Sequence, residues 1–531
     1  MSNSTCVSCK GTGITPPLPT LPPPNTTVLD LLQTNDVPSA AAERLIRDTL
    51  TDINGRIEVL DDEISRLEER MRVIQQQKDQ LVQLSSGHKA IVHPLRGIPE
   101  EVLLHIFRCC DSYARDVMDL TGTPICYDSL QQTRSPWNLG QVCRRWRMVV
   151  LSCSSLWSYV GVSMSSCEKL SRLALQLERS GSHPLTVALQ AKKNVFTPAE
   201  KQLLDILCSH SNRWKTLRIH FHHGIMHNFQ VISPMIKGRL PVLCQLSLVL
   251  DFQSQNDAPE DAVIDAFEIA PQLCDVVIAK CTNRLARILR LPWHQITRYR
   301  GFTNRGSSSH RVVIVNDDCQ FLVQMPSVRA IYESRPINRV AAFPQLHLPS
   351  VHTFGIAIRS HSRLESINSF FDHLSLPNMC DFRLEVHTET VPECILAFLA
   401  RSASKLRIFW FKPTLDWPDK DKVHLLKGTP SVQSLWLYCP TAELLGVLAD
   451  CDSSVLLFPQ LQEIGLFNLE KDWEGLITNL IERRRSTANT LRKVWLPCDH
   501  PFDSSQLNVW RSGGVVVDTS IISWYIAVTT V

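Results

Sequence analysis

The sequence predicts a multidomain α and α/β chain: a long N-terminal helix, a small helical module and a C-terminal α/β solenoid. Three observations predict it. Apolar residues recur at spacings of four and three from Ile46 to Leu81, two amphipathic segments lie between Ile98 and Trp157, and a nine-residue pattern repeats from Ser211 to Leu496. The 531 residues, 44% apolar and 20% charged, supply material for more than one core. The 55 Lys and Arg against 52 Asp and Glu leave a formal +3, which argues against a strongly basic nucleic-acid binder and against a disordered acidic chain.

Residues 1–40 carry seven prolines among Ser, Thr and Asn, and are expected to be a disordered tail. The N-terminus has no apolar run of signal-peptide length, so the sequons at Asn3 and Asn25 read as chance matches. No uncharged apolar stretch is long enough for a membrane span; Val515–Val531 comes nearest but is interrupted by Asp518, Thr519 and Ser520. The 18 cysteines lack framework spacing, and free thiols in a reducing compartment are expected. An intracellular protein, cytoplasmic or nuclear, follows.

Residues 41–87 are expected to form a coiled-coil helix. Leu50, Ile57, Ile64 and Met71 take heptad position a; Ile46, Ile53, Leu60, Leu67, Ile74 and Leu81 take position d. Lys78 at an a position disfavours higher oligomers, and β-branched a residues lean toward a parallel pair. Arg56 could meet Asp61 of a partner helix, whereas Glu63 would face Glu68. A homodimer through residues 46–81 and a single helix packed on its own chain both remain open. Gly87 and His88 mark the expected helix end, and Pro94 a break.

In residues 206–505 the pattern x-Pro-x-apolar-x-x-apolar-x-apolar begins at Leu240, Ala270, Leu376, Thr429 and Phe458, with weaker copies at Leu291, Met325 and Leu348. Copies at Ser211, Ala403 and Ala488 lack the proline. Measured from Ile219 to Leu496, the eleven copies recur about every 28 residues, the range of leucine-rich repeats. Positions seven and nine point the same way from a short strand, and proline is expected just before that strand, where its missing N–H is tolerated. Apolar runs such as Ile395–Leu399 and Leu444–Leu448 fit one helix per unit. The expectation is a degenerate leucine-rich-repeat-like solenoid, with residues 161–205 as linker and first helices and 506–531 as a C-terminal cap. The Asn or Cys usual after such strands is mostly missing, Cys281 being the clearest match.

Residues 91–160 form the module. Pro99 opens a helix with Glu100 and Glu101 in its first turn, and Ile98, Val102, Leu103, Ile106 and Phe107 share one face. A second face holds Trp137, Leu139, Val142, Cys143, Trp146, Val149 and Val150, and Leu156-Trp157 closes the region. Ile98-Pro99-x-Glu101-Val102-Leu103-x-x-Ile106-Phe107, then Val142-Cys143-Arg144-Arg145-Trp146, then Leu156-Trp157, resembles an F-box. With Leu31–Pro38 and His88–Ile91 around the heptads, the whole order is similar to F-box proteins of mushroom-forming fungi. The stretch Cys109–Pro136 is longer and more polar than the usual interhelical link.

The resemblance implies a substrate receptor that binds a Skp-type adaptor of a cullin–RING ubiquitin ligase and captures an unknown protein on its repeats. It implies adaptor contacts at Ile98, Pro99, Val102, Leu103, Ile106 and Phe107, with Val142, Trp146, Leu156 and Trp157 supporting or extending that face. The alternatives are a helical bundle in which these residues are simply core, and a coil-and-repeat scaffold with no ligase link. No enzyme motif, cofactor, nucleic-acid or membrane site is expected. His220, His222, His223 and His227 cluster without a third ligand pattern, Cys6-x-x-Cys9 is half a zinc knuckle, and Arg483-Arg484-Arg485 reads as a solvated helix face.

Overall fold

Seven of the eight repeat prolines, all but Pro292, sit inside a four-residue turn ahead of their strand. In the computed structural model the amide of repeat position four donates to the carbonyl of position one. Leu243 to Leu240, Met379 to Leu376, Val432 to Thr429 and Leu461 to Phe458 do so at 3.1–3.4 Å. Proline at the second place of such a turn has its φ preset and needs no hydrogen. The proline expected just before the strand lies in this turn: the ring shapes the turn, and the strand begins about four residues later. The structure describes residues 25–34, 36–119, 128–164, 169–192, 195–250, 262–279, 288–302, 322–334, 343, 345–358, 362, 364–387, 393–413, 417–450, 457–469, 473–487, 490–496 and 504–518, without the side chains of 111–119 and 504–506.

Two units divide the chain, Met1–Pro99 and Glu100–Val531. The first holds helices α1 (Thr26–Thr34) and α2 (Ala40–Ile91). Helix α1 falls within the expected disordered tail and corrects it from Thr26 on: Asn25 Oδ1 accepts the Thr27 amide at 3.0 Å, and Val28, Leu29, Leu31 and Leu32 follow. Residues 1–24, Cys6 and Cys9 among them, lie outside the described residues. Helix α2 starts on a Ser39 cap, whose hydroxyl accepts the Ala42 amide at 3.3 Å. It runs through Gly87 to Ile91, past the expected end. One glycine costs a helix only about 1 kcal/mol, whereas Pro94 restricts His93 to the extended region and does stop it.

In the second unit, helices α3 (Glu100–Asp119), α4 (Leu139–Val142) and α5 (Arg144–Ser152) precede a parallel sheet of fourteen strands in chain order. The strands are β1 (Tyr159–Ser163), β2 (Leu185–Ala191), β3 (Trp214–Phe221), β4 (Gln245–Leu250), β5 (Asp275–Ala279), β6 (Arg298–Phe302) and β7 (Ala330–Glu333). They continue as β8 (Thr353–Ile358), β9 (Asp381–Val386), β10 (Ile408–Lys412), β11 (Ser434–Tyr438), β12 (Glu463–Phe467), β13 (Lys493–Trp495) and β14 (Val516–Asp518). Between them lie helices α6 (Leu170–Arg179), α7 (Pro198–Ser209), α8 (Ile225–Ile236), α9 (Leu364–His373), α10 (Glu393–Ser402), α11 (Asp419–Lys427), α12 (Ala442–Ala449), α13 (Glu474–Thr487) and α14 (Ser504–Ser512). This is a mixed helical and parallel-sheet α/β protein with an N-terminal helix and a solenoid-like sheet.

Ten of the eleven sequence copies sit in the register read from the pattern. The copy begun at Leu291 does not. Tyr299 pairs with Val276 and Gly301 with Ile278, so that repeat runs from Trp293 to Gly301 and its position four is the buried Ile296. The misfits His294 and Thr297 thereby leave core positions. Glu333 stays at position nine, with its carboxylate over Gly301; a Cβ on Gly301 would lie 2.5 Å from Oε2.

The sheet also begins earlier and ends later than residues 206–505. Strand β1 straddles the expected end of the module, β2 lies in the expected linker, and β14 in the expected cap. Val160 and Val162 pair with Val187 and Leu189, which places Trp157 at position four of a repeat whose tryptophan replaces the usual Leu or Val. Positions four, seven and nine join helix residues such as Leu207, Ile232, Phe371, Phe398, Leu445 and Ile477 in one core. Each fully buried side chain of this kind contributes about 1.5–3 kcal/mol.

Candidate partner-binding surfaces

The motif of the helical module separates into two faces. On α3, Leu103 and Phe107 are 1% exposed, whereas Val102 and Ile106 are 46% and 39% exposed. Phe107 meets Trp146 of α5 with ring centroids 4.8 Å apart. Cys143 caps α5, its sulfur accepting the Trp146 amide at 3.5 Å, and Trp146 is half-buried. Val142, between α4 and α5, is 59% exposed. Leu156 and Trp157 are buried. Leu103, Phe107, Leu156 and Trp157 are thus buried within their own chain, while Val102, Ile106 and Val142 keep exposed surface. In the first unit, Ile98 is half-buried and Pro99 exposed.

Trp157 anchors the module to the sheet. Its indole N–H donates to the Val150 carbonyl at 2.9 Å, Trp137 meets it edge-on at 4.9 Å, and the Arg179 guanidinium lies 4.5 Å over it. Desolvation against these two rings lowers the Arg179 pKa, a loss offset by the nearby Glu178 charge. The residues after the long link close the sheet edge: the Ser129 amide donates to Gly161 O at 3.0 Å, and Ser129 Oγ accepts the Gly161 amide at 3.0 Å. Leu130 enters the core beside it, and Asp128 pairs with Lys169. An edge strand so covered is unavailable for pairing with another chain. The unusual link read from the sequence is therefore eleven further residues of α3, Cys109–Asp119, and, from Asp128, an edge cap.

On α2 no residue is buried. Leu50, Ile57, Ile64, Leu67, Met71 and Ile74 are 48–71% exposed, and Ile53 and Leu60 half-buried. Arg56 pairs along its own helix with Asp52 at 2.8 Å, and Glu63 with Arg66 at 2.6 Å; the Arg66 hydrogen bonds hold the Glu63 carboxyl below its usual range.

Repeat position eight, between two core positions, faces the other side of the sheet. Trp410 and Trp436 stack there at 4.1 Å and 4°, continued by Phe467 at 5.9 Å and Trp495 at 5.4 Å from Trp436. Gly465 makes room: a Cβ there would lie 2.2 Å from the Trp436 ring, and one on Gly355 2.4 Å from Tyr332. Charges flank the stack in pairs, Asp381 with Arg383 at 2.8 Å and Glu385 with Lys412 at 3.0 Å. Burial pushes the Asp381 carboxyl up against the pull of Arg383. Sequence reading passed over these residues, although period-two alternation already placed them opposite the core.

Arg484 is fully buried, which corrects the expected solvated face. It donates to the carbonyls of Leu448, Leu457 and Phe458 at 2.8, 2.6 and 3.1 Å. His223 precedes α8, behind the left-handed Gly224, so the spacing to His227 does not place both on one helix face. The His220 and His222 rings lie 4.0 Å apart, tilted by 34°, and no group of three or more metal-binding side chains occurs among the described residues. Cys281 lies outside them, and the ten described cysteines are free thiols. No described helix is long and apolar enough to cross a membrane.

No protein-family profile matches the chain, and no curated protein does. Among solved structures, it is similar to the crystal structure of the Rad7 and Elc1 complex in yeast, at 12% sequence identity and a TM-score of 0.26. The match covers 83% of this chain and 98% of that one.

Proposed function

We propose that the chain is a non-catalytic F-box-type substrate receptor inside the cell. In this reading the module binds a Skp-type adaptor and the repeat sheet presents a protein target to a cullin–RING ubiquitin ligase. The observation that carries the reading is the division of the α3 motif: Leu103 and Phe107 build the module, while Val102 and Ile106, one turn apart, keep their apolar surface for a partner. Val142 adds a third exposed position. The Trp157 anchor fixes the module against the first repeat, so a bound adaptor would hold a set orientation to the captured protein.

Co-purification of the full chain with a Skp-type adaptor tests this. Val102→Glu with Ile106→Glu is expected to reduce retention at least tenfold while leaving the melting temperature unchanged, since both side chains already face water. A wild-type chain that retains no adaptor would leave the scaffold reading in its place.

The α2 seam supports self-association, as parallel pairing would cover ten apolar positions along one stripe. Light scattering on the full chain is expected to give a dimer, and Ile57→Lys with Ile64→Lys a monomer of unchanged helicity. A monomeric wild type would remove the pairing.

A further inference from the structure

Where the strands begin, the sheet edge has little backbone left to offer. The carbonyl of the fifth repeat residue accepts two amides of the next repeat at Cys380, Arg407 and Gln433 (2.7–3.0 Å). A partner there meets the side chains of positions three and five. In no copy does either position hold Asp or Glu, while six of these positions hold Lys or Arg and one holds His352. The whole chain carries 52 acidic residues, so the lack is local. Of the position-six carboxylates along this edge, Asp381 pairs with Arg383 at 2.8 Å and Asp275 with Arg300 at 2.9 Å, while Glu463 on β12 accepts the Ser434 hydroxyl at 3.2 Å.

Between β8 and β12 this edge opens into a groove of about 420 Å³. The small side chains Ser404 and Ser431 leave the space, and the exposed Lys405, Arg407 and His352 line it. Lys405 Nζ donates to Asn378 Oδ1 at 2.6 Å, which holds the ammonium in place with further N–H groups to give. His352 Nδ1 is held by the Ser350 carbonyl at 2.7 Å, leaving Nε2 for another partner. At a strand spacing of ~4.8 Å the groove spans roughly 19 Å, the length of about six extended residues.

We propose that this groove docks an acidic, extended segment of a protein partner, its carboxylates paired with Lys405, Arg407 and His352. The inference names a substrate class for the receptor above and rests on that reading only for calling the partner a captured substrate.

Fluorescence anisotropy on the full chain tests it, with a labelled hexaglutamate peptide flanked by Gly-Ser and with hexaglutamine and hexalysine counterparts. Only the hexaglutamate peptide is expected to bind, more weakly as salt rises. Lys405→Glu with Arg407→Glu should weaken it at least tenfold, and Lys215→Glu, on the same edge at β3, less than twofold. No hexaglutamate binding by wild type, or equal loss with Lys215→Glu, overturns the groove. Equally tight binding of a six-nucleotide single-stranded RNA through Lys405 and Arg407 overturns the peptide as occupant. Adaptor retention, measured in parallel, is expected to survive the double variant. Its absence with hexaglutamate binding intact would sink the receptor reading and leave the groove standing.

Discussion

Replacing Trp157 by Ala is expected to unfold the helical module and β1 together, at a cost of about 4 kcal/mol. The indole is fully buried, caps the first repeat at position four, packs edge-on against Trp137 and under Arg179, and satisfies the Val150 carbonyl. Alanine would leave a cavity where three elements meet. Because a repeat array is stabilised by its nearest neighbours, the loss should stay local. Hydrogen exchange checks it: protection of α3, α5 and β1 should fall about 10³-fold while β6 to β13 keep theirs. Adaptor retention should fall with that protection, and Trp157→Phe should restore most of both. Lost retention with full protection would instead make Trp157 a direct contact, against its burial.

Arg484→Leu is expected to cost about 4 kcal/mol at the other end of the array, since it removes a buried charged donor and leaves three carbonyls without it. The guanidinium ties α13 to the last turn of α12 and to the turn before β12, a join that no apolar side chain can make. Exchange should therefore rise from β11 to β14 and stay unchanged in β1 to β5. Arg483→Leu, on the exposed side of the same helix, should shift stability by less than about 0.5 kcal/mol. Equal effects of the two variants would show that the charge run, not the buried join, matters.

Much of the repeat register is legible in the sequence because positions four, seven and nine all enter one core. A one-residue slip would turn every strand side chain to the other face, so the pattern is strongly constrained. It failed at Leu291-Pro292, where proline drew the reading two residues early and the 3₁₀ turn at Trp293–Gln295 decides otherwise. It missed β2 and β14 because these repeats depart from the pattern, β2 by a register shift at Leu185 and Thr186 and β14 by Val515 lying one residue closer to its strand, and it missed β1 although Trp157, Val160 and Val162 fit positions four, seven and nine. In the module, periodicity picked the apolar face of α3 but not its division, since Leu103 and Val102 are adjacent and equally apolar.

By itself the sequence determined the long helix, the order of elements and the spacing of the strands, all of which follow from short-range periodicity and turn chemistry. Only the tertiary structure decided what covers each apolar or charged side chain. Trp157 became the first rung of the repeat, Arg484 a buried clasp, and Val102 and Ile106 a free face. The reason is physical: residue type sets the energy of leaving water, whereas the partner that takes water's place is fixed by segments distant in the chain.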